Sequence, residues 1–151
     1  LDEAAKRAAA SGIENVSWVE APAESLPFAG ASFDLVTVRI APHHFSDVAA
    51  FLRETHRVLV PNGVFVLGDT SIPDDDSEAA EWQNHVEKAR DSSHVRNRSP
   101  REWQTLCEAA GFTVTVLEYR EAAIQIPLTA WLETAGCVGE QGKTVRGLFT
   151  D

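Results

Sequence analysis

At 151 residues, with 44% apolar and 24% charged side chains, the chain suits one globular domain able to bury a core, not a disordered segment. Its net charge of -10 argues against nucleic acid or an anionic membrane as the main partner, because both require clustered Lys and Arg. No apolar run approaches ~18 residues and no signal peptide is visible, so no membrane-spanning helix is expected. The basic residues gathered from Arg90 to Arg101 stand among acids and read as a solvated helix face. Two cysteines far apart, Cys107 and Cys137, fit a reduced, cytoplasmic protein, with a disulfide left open. The chain has no methionine, and "LDEAAKRAAASG" opens as if in mid-helix, so a fragment of a longer parent is expected.

In chain order, residues 1 to 11 are rich in alanine and charge and predict a helix that ends before Gly12. "NVSWVE" predicts a short strand, and "SFDLVTVRI" a second whose near-continuous apolar run suits a strand covered on both faces. Ser46 is a candidate N-cap for a helix carrying Val48, Phe51, Leu52, Thr55, Val58 and Leu59 at helical spacing. "PNG" breaks that helix before a third strand, "VFVLGD". The run Asp74 to Asp76 caps a helix with Ala79, Trp82, Val86 and Ala89 on one stripe. Ser99-Pro100-Arg101-Glu102 is a capping box with proline at the first helical position, and that helix runs past Trp103 and Leu106 to Gly111. "FTVTVLEY" predicts a fourth strand, "AAIQI" an extension or partner of it, and "LTAWLETA" a last short helix. Neither repeat nor linker divides the chain.

Helices and strands in alternation imply an α/β fold, a mostly parallel sheet in three αβα layers. Ligands bind such sheets outside the carboxyl ends of the strands, here Glu20 to Glu24, Val38 to His44 and Gly68 to Ser71. His43 and His44 lie on that edge. Adjacent side chains point in different directions, so joint metal ligation is not expected. A substrate-facing role for one of them stands beside plain loop packing, and the pair is expected to shape the rim more than to perform acid/base work. Asp69, at a strand end, reads as structural, and Trp82, Trp103 and Trp131 as core or lid packing.

The run "APAESLPFAGASFDLVTVRIAPHHFSDVAAFLRETHRVLVPNGVFVLGD" resembles the central part of a class I S-adenosylmethionine-dependent methyltransferase of the small-molecule, type 11 kind. "AESLPF" looks like the family's adenine-side loop, "SFDLVTVR" its fourth strand, and "LRETHRVLVPNG" the helix and turn leading to its fifth. "SPREWQTLCEAAGFTV" resembles the late helix and sixth strand. The resemblance implies an incomplete Rossmann-like sheet in a single domain, 1–151. It also implies cofactor contacts from Ala23, Glu24, Arg39 and Ile40, a substrate-side place for His43 and His44, and no metal. The family's glycine-rich turn and ribose-binding acid have no counterpart here, nor has its last strand. Pro22 stands where the family often carries an aspartate facing the adenine.

Methyl transfer from S-adenosylmethionine to a small molecule is therefore expected of the parent protein, with weak or absent cofactor binding by these residues alone. The catalytic residues and the acceptor atom stay open, since a sulfonium donor demands mainly alignment and exclusion of water. A non-catalytic binding domain on the same scaffold is the alternative, and a nicotinamide-dependent doubly wound enzyme a weaker one. With the neighbouring strands absent, "FDLVTVRI" keeps one partner and a free edge, and a homodimer or higher oligomer through strand edges is expected.

Overall fold

The structure, a computed structural model, describes residues 1–120 and 126–150. Its first helix, α1 (Asp2–Ala10), ends where the sequence placed its end: Ser11 closes it and Gly12 turns at φ 68°. Two strands follow, β1 (Phe33–Arg39) and β2 (Leu59–Gly68), with α2 (Val48–Val58) between them. They pair in parallel, in register from Leu35 opposite Val64 to Arg39 opposite Gly68. Phe33 pairs with Leu59, so four residues around Pro61–Gly63 have no opposite number and bulge, with Asn62 at φ 65°. "PNG" thus interrupts a strand that has already begun at Leu59.

Helix α2 and α4 (Pro100–Ala109) cover one face of this sheet. Val48, Phe51, Leu52 and Trp103 form the buried centre, and Val38, Phe65, Leu67, Leu106 and Phe112 pack around it. Each fully buried aliphatic side chain contributes on the order of 1.5–3 kcal/mol. The opposite face is uncovered among the described residues: Leu35, Val64 and Val66 are each more than half exposed. A second cluster joins α3 (Ser77–Arg90), α5 (Leu128–Thr134) and α6 (Gly139–Gly147) around Val86, Leu132, Cys137 and Val145. Cys107 and Cys137 are both free thiols. No helix among the described residues is long and apolar enough to cross a membrane.

Several expectations need correction. "NVSWVE" and "FTVTVLEY" form no strand and belong to no ladder among the described residues, and Trp18, Val116 and Tyr119 stay exposed. Strand propensity describes a fit to a pleated neighbour, and without that neighbour no strand forms. The expected extension at "AAIQI" falls mainly on residues outside those described. The N-cap of α2 is Asp47, whose carboxylate accepts from the Ala50 amide, while Ser46 caps nothing. Helix α6 was not foreseen, because three glycines hide it. One of them is required: a Cβ on Gly142 would stand 2.9 Å from the Cys137 carbonyl oxygen. The capping box at Ser99 and Glu102 forms as the spacing predicts.

Candidate functional site

The carboxyl ends of β1 and β2 meet at a turn that the sequence makes sharp. Ile40 follows β1 at φ 50°, a left-handed conformation that a β-branched residue rarely adopts, at a cost of about 1–3 kcal/mol. Its amide donates to the Gly68 carbonyl at 2.8 Å, which holds the bend. A Cβ on Gly68 would meet nothing within 4 Å, so the space beside the bend is open. Arg39 is exposed there, and its guanidinium has no ion-pair partner among the described residues.

A short 3-10 turn, Pro42–His44, then brings both histidines over the strand ends. Asp69, just past β2, receives the first. Its carboxylate accepts from His43 Nδ1 at 2.6 Å, from the His43 amide at 2.8 Å and from the Thr70 amide at 3.0 Å. The Asp69 side chain is 2% exposed and that of His43 12%. Three donors thus converge on this buried carboxylate. The expectation that Asp69 is merely structural is therefore corrected: it fixes an imidazole at the ligand edge. An aspartate takes the Nδ1–H and leaves Nε2 as the lone-pair nitrogen.

The segment 91–98 closes over this turn. The His43 carbonyl accepts from the amides of Val95 (2.9 Å) and Arg96 (3.1 Å), and Ser71 hydroxyl donates to the Arg98 carbonyl at 2.9 Å. His44 Nδ1 lies 3.0 Å from Ser93 Oγ, which itself donates to Asp91 at 2.6 Å. Buried His94 completes a group of three imidazoles, 4.1 Å from His43 to His44 and 5.5 Å from His43 to His94 between ring centres. Its Nε2 faces Asn84 Oδ1 at 3.2 Å. Burial, then the proximity of His43, His44 and Lys88, pulls the His94 pKa down to about 4, so it is neutral at pH 7.

Glu24 and Ala23 stand differently from each other. Ala23 packs against the sheet's core. Glu24 Oε1 accepts from Ser46 Oγ at 3.1 Å, and donors from its own amide, then Asp47 and Ser46, lower its pKa. It therefore binds the start of α2. The loop between them and β1 is stapled from α2: Glu54 accepts from the Leu26 amide, and Arg57 donates to the carbonyls of Phe28 and Leu26. The structure thus gathers Arg39, Ile40, His43 and His44 at one edge and adds Asp69, Asp91, Ser93 and His94 there, while the Glu54–Arg57 staple holds the loop before β1; the sequence singled out none of these additions for such a role. Among the described residues no group of three or more His, Cys, Asp or Glu converges in a way that could hold a metal ion.

A family model described as "Methyltransferase domain" matches residues 1–67. An uncharacterised methyltransferase of Bacillus subtilis, YcgJ, is 37% identical over 148 residues, 96% of this chain and 56% of its own length. An uncharacterised protein of Escherichia coli, YafE, is 41% identical over 114 residues, 76% of this chain and 55% of itself. The crystal structure of YcgJ superposes with a TM-score of 0.83 over 97% of this chain and 62% of that one. A putative methyltransferase from Bacillus halodurans gives 0.78 at 34% identity, over 86% of this chain and 60% of that one. The chain spans about half the length of these curated relatives.

Proposed function

Because the chain belongs to the class I S-adenosylmethionine-dependent methyltransferase family, we propose that the protein methylates a small molecule, with His43 as the base that takes the acceptor's proton. The observation that carries this reading is the His43–Asp69 pair, 2.6 Å apart and placed where both parallel strands end. Ala23, Arg39 and Ile40 would line the donor's adenosine side. The open space beyond Gly68 and the bend at Ile40 fit such a group, whereas Glu24 reaches it only past its contacts with Ser46 and Asp47. Bound there, the donor supplies an electrophilic methyl carbon on a sulfonium sulfur.

The chain's own part is positional. Asp69 holds His43 in one tautomer, so Nε2 accepts a proton from an acceptor hydroxyl as its oxygen bonds to the methyl carbon. The segment 91–98 packs over the turn that carries the pair and holds it in place. Such a base contributes about 10²–10⁴-fold to the rate.

Affinity of these 151 residues for the donor is expected to be weaker than micromolar, since the strand ends offer the adenine side alone; a titration therefore runs to millimolar S-adenosylmethionine. A micromolar dissociation constant overturns that expectation, and measurable donor binding with no transfer of labelled methyl to small hydroxyl compounds removes the catalytic reading and leaves a binding scaffold. A His43→Gln variant that transfers methyl as fast as the unaltered protein at neutral pH removes the base.

A further inference from the structure

His43 and His44 are fixed by separate devices that leave both in the same state. His43 Nδ1 gives its proton to Asp69 directly. Around His44 the proton order follows from chemistry. The ionised Asp91 can only accept, and it takes the Ser93 hydroxyl proton at 2.6 Å as well as the Ser93 amide at 2.8 Å. Ser93 Oγ, its own proton committed, must accept from His44 Nδ1 at 3.0 Å. Asp91's carboxyl sits below its ordinary pKa, chiefly because Ser93 donates to it, which keeps the chain of bonds in this order at neutral pH.

The consequence is a matched pair of lone pairs. Both Nε2 atoms lack a hydrogen-bond partner among the described residues, and neither is among the buried polar atoms left unpartnered, so neither is fully buried. The rings are 4.1 Å apart, tilted by 50°. A single O–H could engage one nitrogen; two neighbouring donors could engage both.

We propose that Asp91 and Ser93 position His44 as a second hydrogen-bond acceptor beside His43, and that the pair selects a methyl acceptor bearing two adjacent O–H or N–H donors, as a catechol or a vicinal diol does. The selection rests on the methyl-transfer reading above; the state of His44 does not. One hydroxyl passes its proton to His43 Nε2 while its oxygen bonds to the methyl carbon and the methyl–sulfur bond breaks, the electron pair staying on sulfur. The other hydroxyl stays protonated and donates to His44 Nε2. Ser93 and Asp91 touch neither reacting atom and act through His44 alone.

Long-range ¹H–¹⁵N NMR of the histidine rings tests the device without donor or turnover. Both His43 and His44 should be protonated on Nδ1. Ser93→Ala should move His44 to the Nε2–H form and leave His43 unchanged, Ser93→Thr should restore it, and Asp91→Asn should weaken the preference. A His44 already protonated on Nε2, or one indifferent to Ser93→Ala, overturns the positioning. Catechol and phenol then serve as probes at millimolar concentration. Catechol should shift both Nε2 resonances and bind about tenfold more weakly to Ser93→Ala, while phenol should shift His43 alone. Equal binding of the two probes, or none by catechol, overturns the selection. If the tautomers and the catechol preference hold while bound donor transfers no methyl, the methyl-transfer reading falls and the acceptor pair stands.

Discussion

Taking the protein from pH 7.5 to pH 5 should remove about 2 kcal/mol of folding stability through His94 alone. The imidazole is 2% exposed, and burial, then His43 and His44 from the turn and Lys88 from α3, lower its pKa from 6.5 to about 4, with Asp91 opposing. The unfolded chain therefore binds this proton more readily than the folded one. The stabilisation is complete above pH ~6.5, falls as pH drops through that value, and is exhausted below pH ~4. At about 1.36 kcal/mol per unit, the whole shift is worth on the order of 3 kcal/mol, of which about two thirds is lost by pH 5. Carboxyls whose pKa is lowered in the fold, Glu24 and Asp91 among them, titrate further down and leave this window to histidine. Urea unfolding at half-unit steps, followed by circular dichroism with a common slope, measures it. His94→Gln keeps a donor for Asn84 Oδ1 but has nothing to titrate, so its stability should be nearly flat over the same range. A variant that keeps the full acid sensitivity, or an unaltered protein that shows none, refutes the argument.

Gly111→Ala should cost about 1–2 kcal/mol in the same unfolding assay, because the residue sits at φ 96° and the new Cβ would lie 3.1 Å from His56 Nε2; Gly12→Ala, with open space around its Cβ, should cost less, and equal losses would show that contact with His56 is immaterial. Arg57→Ala frees the carbonyls of Leu26 and Phe28 and loosens Glu54, so the Leu26 amide should exchange with solvent markedly faster while amides in β1 do not change. Protection retained at Leu26 would show that packing, not the staple, holds the loop. The outer edge of β1 and the half-exposed face of Leu35, Val64 and Val66 form a template for pairing between copies. Sedimentation equilibrium at micromolar concentration should find a dimer or larger species, and a cooperative monomer would end that proposal.

The histidine pair shows how far local reading reaches. Its position on the ligand edge was legible, because β1 is a continuous apolar run and strand ends are where such sheets bind. Its chemistry was not, because the two partners that define it lie 26 and 49 residues away. Asp69 read as a strand terminus, and nothing in "DSSHVRNR" announces that Ser93 will meet His44. The staple on α2 was hidden the same way, because the contacts of Glu54 and Arg57 with Leu26 and Phe28 span 28 to 31 residues.

Sequence by itself determined whatever is decided within one turn of chain. The Ser99–Glu102 capping box and the left-handed glycines closing α1 and α4 hold, since their donors and acceptors are neighbours along the backbone, and the alternation of helix and strand implied the parallel pairing that β1 and β2 make. The same run carried the family resemblance. Tertiary structure alone decided which extended segments become strands, since a ladder needs a second chain segment at hydrogen-bond distance and "NVSWVE" and "FTVTVLEY" meet none among the described residues. It also decided the hydrogen-bond partners of His43 and His44 and the lowered pKa of His94, because burial and a partner's charge are properties of place, and residues distant in sequence create that place only when the chain folds.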